Sequence, residues 1–84
     1  MFYSISGTLI TTETNAAIVD NNGIAYRMTI SGSTLAKLSS KLNAKVTLFT
    51  YLNVKEDGIE LFGFYSQEEL AAFRLLISVS GVGP

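Results

Sequence analysis

The sequence predicts a mainly β domain, a barrel of five short strands followed by a C-terminal α-helix. Three observations carry that reading. Apolar residues alternate with polar ones in the segments 3–9, 24–30 and 46–54, the period of strands buried on one face. Turn signals, Asp20-Asn21-Asn22-Gly23 and Lys55-Glu56-Asp57-Gly58, separate β-rich runs. A helical pattern with its own cap opens only at Ser66, so residues 1–65 are expected to form the barrel and 66–84 a distinct helical piece.

In the first strand Tyr3, Ile5, Gly7 and Leu9 alternate with Ser4, Ser6 and Thr8. Thr11 to Asn15 reads as a polar break, and Ala16-Ala17-Ile18-Val19 as a second strand that turns at Asn22-Gly23, residues tolerant of positive φ. The third strand sets Ile24, Tyr26, Met28 and Ile30 on one face, with Tyr3 and Tyr26 expected in the core. Ser31-Gly32-Ser33 breaks the pattern, and Thr34 offers a hydroxyl cap to a helix of one or two turns through Leu38. The fourth strand places Val46, Leu48, Thr50, Leu52 and Val54 on one face, while Phe49 and Tyr51 make the other partly apolar, so cover on both sides is expected. Ile59 to Phe64 returns as the fifth strand.

Ser66-Gln67-Glu68-Glu69 fits a capping box: the Ser66 hydroxyl accepts from the Glu69 backbone N–H, and the Glu69 carboxylate from that of Ser66. Leu70, Phe73, Leu76 and Ile77 then form an apolar stripe that stops at Ser80-Gly81. Five strands with one interposed short helix match a Greek-key barrel of the oligonucleotide/oligosaccharide-binding (OB) type. A different five-stranded barrel fits the pattern too.

Composition narrows the chemistry. With no cysteine and no histidine among 84 residues, disulfides, thiolate or imidazole metal sites and imidazole acid–base catalysis are excluded. The adjacent carboxylates Glu56 and Asp57 diverge on a turn and stay solvated, poor general acids and too few oxygens for a calcium or magnesium site. A non-enzyme without metal or cofactor is expected. Net charge is −1, with six basic residues against seven acidic ones, which argues against a strong stand-alone DNA binder. Lys37, Lys41 and Lys45 cluster, as solvated faces commonly do. Charged residues make up 15% of the chain, below the usual share of about 25%, so its surface is expected to meet other subunits or domains. No apolar run is long enough for a membrane span, and the N-terminus lacks a signal-peptide layout, which together suggest a cytoplasmic protein.

Gly81-Val82-Gly83-Pro84 looks like half of a helix-hairpin-helix, in which backbone N–H groups at a glycine-rich hairpin meet a DNA phosphate. By itself it reads more readily as a plain helix end, just as Lys55-Glu56-Asp57-Gly58 by itself reads as an ordinary soluble turn. The larger pattern adds to both. Gly23-Ile24-Ala25-Tyr26, Phe49-Thr50, Val54-Lys55-Glu56-Asp57, Leu61-Phe62-Gly63-Phe64, Phe73 with Leu76-Ile77, and Val79-Ser80-Gly81-Val82-Gly83-Pro84 resemble, in order, the N-terminal part of the RuvA family.

That resemblance implies an OB-fold barrel that forms a homotetramer around a fourfold axis and holds an open four-way (Holliday) junction. It also implies a non-catalytic partner for the motor RuvB in branch migration, recombination, DNA repair and the SOS response. Family members continue through paired helix-hairpin-helix motifs and a motor-contacting domain, so the chain is expected to be an N-terminal fragment. By motif position Glu56 and Asp57 correspond to the family's acidic pin, and Gly81, Val82 and Gly83 to its first phosphate-binding hairpin. The segment Ser31 to Asn43 departs from the family, as does Tyr51, where many relatives carry His. The alternative is a self-associating OB-fold module that binds single-stranded nucleic acid or a protein. On that reading Phe2, Phe49, Tyr51, Phe62, Phe64 and Tyr65 are the surface aromatics available for stacking.

Overall fold

The computed structural model describes residues 2–80, with side chains through Ser78. Its elements are β1 (Ser4–Glu13), β2 (Ala16–Asn21), β3 (Ile24–Thr29), α1 (Gly32–Leu38), β4 (Lys45–Lys55), β5 (Gly58–Phe64) and α2 (Gln67–Ser80). The strands close into a barrel in the order β1-β2-β3-β5-β4, as an OB-fold requires. One strand must serve two neighbours for this to happen. Residues Ser4 to Thr8 of β1 pair with β4 and Thr8 to Glu13 with β2, and the register slips between Leu9 and Thr11, a bulge that bends the strand around the barrel. Thr11 to Glu13 are therefore strand, where a polar break was expected.

The β2–β3 turn has the anticipated chemistry. Asn22 and Gly23 are its two loop residues, with φ of 52° and 94°, the double positive φ of a type I′ hairpin. Gly7 answers a different demand: a Cβ there would lie 2.2 Å from the Asp20 carbonyl oxygen, so β1 and β2 approach this closely only over a glycine.

Leu9, Ala17, Val19, Met28 and Leu48 fill the barrel and are fully buried, as is Leu38 from α1. Full burial of each leucine, valine or methionine side chain among them contributes about 1.5–3 kcal/mol. Alternation fails where strands run past this core. Ile24, beside the turn, is 58% exposed, and Tyr3, which precedes β1, is 66% exposed with its ring edge-on to Phe49. Tyr26 is half-buried against Phe2. Phe64, expected at the surface, is buried against Phe73 of α2.

The helix starts also differ from expectation. Ser31, not Thr34, caps α1 by accepting from the Thr34 N–H at 3.1 Å, which leaves Thr34 buried one turn inside. Half of the expected capping box is present at α2: Ser66 Oγ accepts from the Glu69 N–H at 3.2 Å. The Glu69 carboxylate answers the N–H of Tyr65 rather than that of Ser66, and otherwise turns toward α1. In α2 the stripe is Leu70, Phe73 and Ile77. Leu76, six residues on from Leu70 and so about 120° round the helix, is 65% exposed.

Candidate nucleic-acid interface

The Lys55-Glu56-Asp57-Gly58 tip is the end of a ribbon that outruns the barrel. Lys55 pairs with Gly58, leaving Glu56 and Asp57 as the two loop residues. β4 pairs with β1 only as far as Phe49, and the single β3–β5 pairing is at Phe62, opposite Tyr51. Four further residues, about 13 Å at strand rise, carry β4 to Lys55 with β5 as its only partner strand. On the face that is core at Leu48 and Thr50, Val54 and Ile59 stand opposite each other 67% and 70% exposed. The strand pattern is unchanged along β4; the barrel has ended.

One side-chain chain steadies this arm. Thr29 Oγ1 donates to Glu60 Oε2 at 2.9 Å, tying β3 to β5, and Lys55 Nζ lies 3.5 Å from the other Glu60 oxygen. Lys55 is thereby drawn back toward the barrel. Glu56 and Asp57 are exposed and form no ion pair among the described residues, so the tip presents two unpaired carboxylates beside a Lys55 that is engaged by Glu60.

At the other end of β4 a carboxylate is used as an internal anchor. Glu69 accepts from Thr34 Oγ1 at 2.8 Å, Ser33 Oγ at 3.0 Å, Lys37 Nζ at 3.1 Å and the Tyr65 N–H at 3.2 Å, joining α1 to α2. Burial pushes its pKa up, but hydrogen bonds from Thr34, Lys37, Ser33 and Tyr65 outweigh that and hold it below the ordinary carboxylate value. Lys37 also lies 5.4 Å from the Tyr65 ring centroid, so it is an engaged member of the expected lysine cluster. The capping-box spacing pointed to Glu69 but not to α1 as its partner.

Between these ends α2 lies on the outer face of the β4–β5 ribbon. Phe73 packs 5.5 Å from Tyr51, 5.2 Å from Phe62 and 5.1 Å from Phe64, and Arg74 lies 5.3 Å from the Tyr51 ring. The outer face of β4 is thus covered at Tyr51, as expected, and Tyr51 serves as a platform for the helix. Three of the six aromatics available for stacking on the alternative reading, Tyr51, Phe62 and Phe64, are engaged here. Gly81, Val82 and Gly83 lie outside the described residues. Among the described residues there is no cluster of three or more acidic groups placed to hold a metal, and no helix is long and apolar enough to cross a membrane.

Residues 1–63 match the family described as the RuvA N terminal domain. The chain belongs to that family. Over its full length it is 43% identical to the Holliday junction branch migration complex subunit RuvA of Chlorobium phaeobacteroides, covering 42% of that protein. It is 48% identical to the subunit of the same name from Acetivibrio thermocellus and 45% identical to that of Chlorobaculum parvum, covering 41% of each. The chain therefore spans about two fifths of the length of these relatives. In this chain the projecting acidic ribbon and the barrel are one continuous sheet.

Proposed function

We propose that this chain is the N-terminal part of a Holliday-junction branch-migration subunit, a non-catalytic cytoplasmic DNA scaffold that assembles as a homotetramer and works with a RuvB-type motor. The observation that carries this reading is the acidic tip: two exposed carboxylates on a ribbon that leaves the barrel. Family membership and the printed names of the relatives support it.

The tip acts by repulsion. A carboxylate about 4 Å from a phosphate costs about 1 kcal/mol in water and several-fold more at lower effective dielectric, and salt screens it beyond about 8 Å. One tip does little. Four tips converging on a fourfold axis bring about eight charges together, and their summed field keeps strands apart at the crossover. Affinity comes from elsewhere, beginning with the backbone N–H groups expected at Gly81, Val82 and Gly83.

In gel-shift titrations at physiological salt, the intact subunit is expected to bind a four-way junction in clear preference to linear duplex, and the 84-residue chain alone to bind it weakly. An intact subunit without junction preference overturns the reading, as does tight, selective binding by the chain alone.

A further inference from the structure

A cleft of about 350 Å³ opens beside the Glu69 network, lined by Lys41, Lys45, Val46, Thr47, Phe49 and Tyr65. Its walls combine two ammonium groups, the Thr47 hydroxyl, which shares a 2.7 Å hydrogen bond with Ser6 Oγ, and two half-buried aromatic rings, those of Phe49 and Tyr65. Neither Lys41 nor Lys45 takes part in an ion pair among the described residues. Glu69, whose network adjoins the cleft through Tyr65, is occupied by Thr34, Ser33, Lys37 and Tyr65. Asp20 faces Lys45 across a neighbouring cleft without forming a bridge.

The backbone under the lysines is fixed in advance. Lys41 N donates to Leu38 O at 2.9 Å and Ala44 N donates to Lys41 O at 3.0 Å. Asn43 N to Leu9 O at 2.8 Å and Leu9 N to Ala44 O at 3.0 Å then clamp the loop to β1. A site whose cations sit on a tethered loop loses less freedom on binding than one carried by a mobile loop.

From these observations we infer that the Lys41–Lys45 cleft binds a single strand of nucleic acid, with the lysines and Thr47 at its phosphates and Phe49 and Tyr65 against a base. Lysines without carboxylate partners favour a polyanion, and adjacent rings favour one that carries planar bases, the combination by which single strands are held. The inference rests on the junction reading, since branch migration supplies strands released from pairing, but it assigns a contact at the opposite end of β4 from the acidic tip.

The test is an NMR titration of the 84-residue chain with pentathymidylate at about 20 mM salt. The expected shifts centre on residues 41–49 and Tyr65, with residues 55–58 unmoved. The K41Q/K45Q variant should bind about tenfold more weakly, with the log–log salt slope reduced by about 1.4 for two lost phosphate contacts. An abasic pentamer should bind at least about fivefold more weakly than pentathymidylate, the loss expected of one stacked base. Shifts centred elsewhere, no response at millimolar oligonucleotide, equal binding of the abasic pentamer, or equal binding of a pentaglutamate peptide overturns the inference. Junction preference of the intact subunit, measured in parallel, separates failure of this cleft from failure of the junction reading.

Discussion

At its Lys45 end β4 is paired with β1 and lies beside a carboxylate held by four donors, whereas at its Lys55 end it has only β5 as a partner strand and carries two carboxylates into solvent. The residue chemistry at the two ends is similar: lysine, glutamate, hydroxyl. What differs is how the acids are satisfied. Glu69 is spent on structure, and Glu60 on Thr29 and Lys55, which leaves Glu56 and Asp57 without a structural partner. A charge with no structural duty can be selected for what it does to a ligand.

The comparison breaks most readily through the core. Leu48 and Val54 share a face of one strand, yet the first is fully buried and the second 67% exposed. Leu48→Ala is expected to cost about 2–5 kcal/mol in urea unfolding, and Val54→Ala within about 0.5 kcal/mol; comparable losses would show that the ribbon tip is packed.

Next in size is Glu69→Ala, which strands the buried Thr34 hydroxyl as a donor, leaves the Tyr65 N–H only its longer bond to Thr34 Oγ1 at 3.4 Å, and should cost about 1–3 kcal/mol. The sign of its pH dependence is fixed. Because the folded pKa of Glu69 lies below the unfolded one, its contribution is complete above the unfolded value of about 4.3 and is lost as pH falls through the folded value. The stability gap between the unaltered chain and Glu69→Gln should therefore narrow in acid, and a gap that is constant from neutral pH down to about 3 contradicts this.

Thr29→Val removes the bond that ties β3 to Glu60 and should cost about 1 kcal/mol. Hydrogen exchange should then quicken in residues 53–60 while the Leu9 and Leu48 amides keep their protection. Uniformly faster exchange would mean that the arm has no independence from the barrel. Smallest of all is the tip itself: E56Q/D57N should change stability by less than about 0.5 kcal/mol.

Much of this architecture was legible in the sequence. Alternation at Ile5, Leu9, Met28, Val46 and Leu48 located the core, and Asn22-Gly23 and Asp57-Gly58 marked the two hairpins, because one-sided burial leaves a direct mark on residue choice, as does the positive φ of Asn22 and Gly23. The length of the projecting ribbon left no such mark. Val54 and Ile59 continue an inward alternation beyond the point where an inside exists, and Tyr3 does the same before β1. Partner choice was equally hidden: Ser66 and Glu69 read as a local cap, but Glu69 bonds Ser33, Thr34 and Lys37 more than thirty residues away. The tip carboxylates were visible from the start, though only their family position marked them out from an ordinary turn.

The central proposal, that Glu56 and Asp57 shape DNA by repulsion while adding nothing favourable to folding or affinity, is tested most directly by branch migration. E56Q/D57N in the intact subunit should leave the urea midpoint unchanged and the junction Kd unchanged or lowered, as loss of repulsion requires, yet alter the rate at which the subunit and its motor move a four-way junction. An unchanged rate, or a change that tracks lost stability or lost binding, would contradict it.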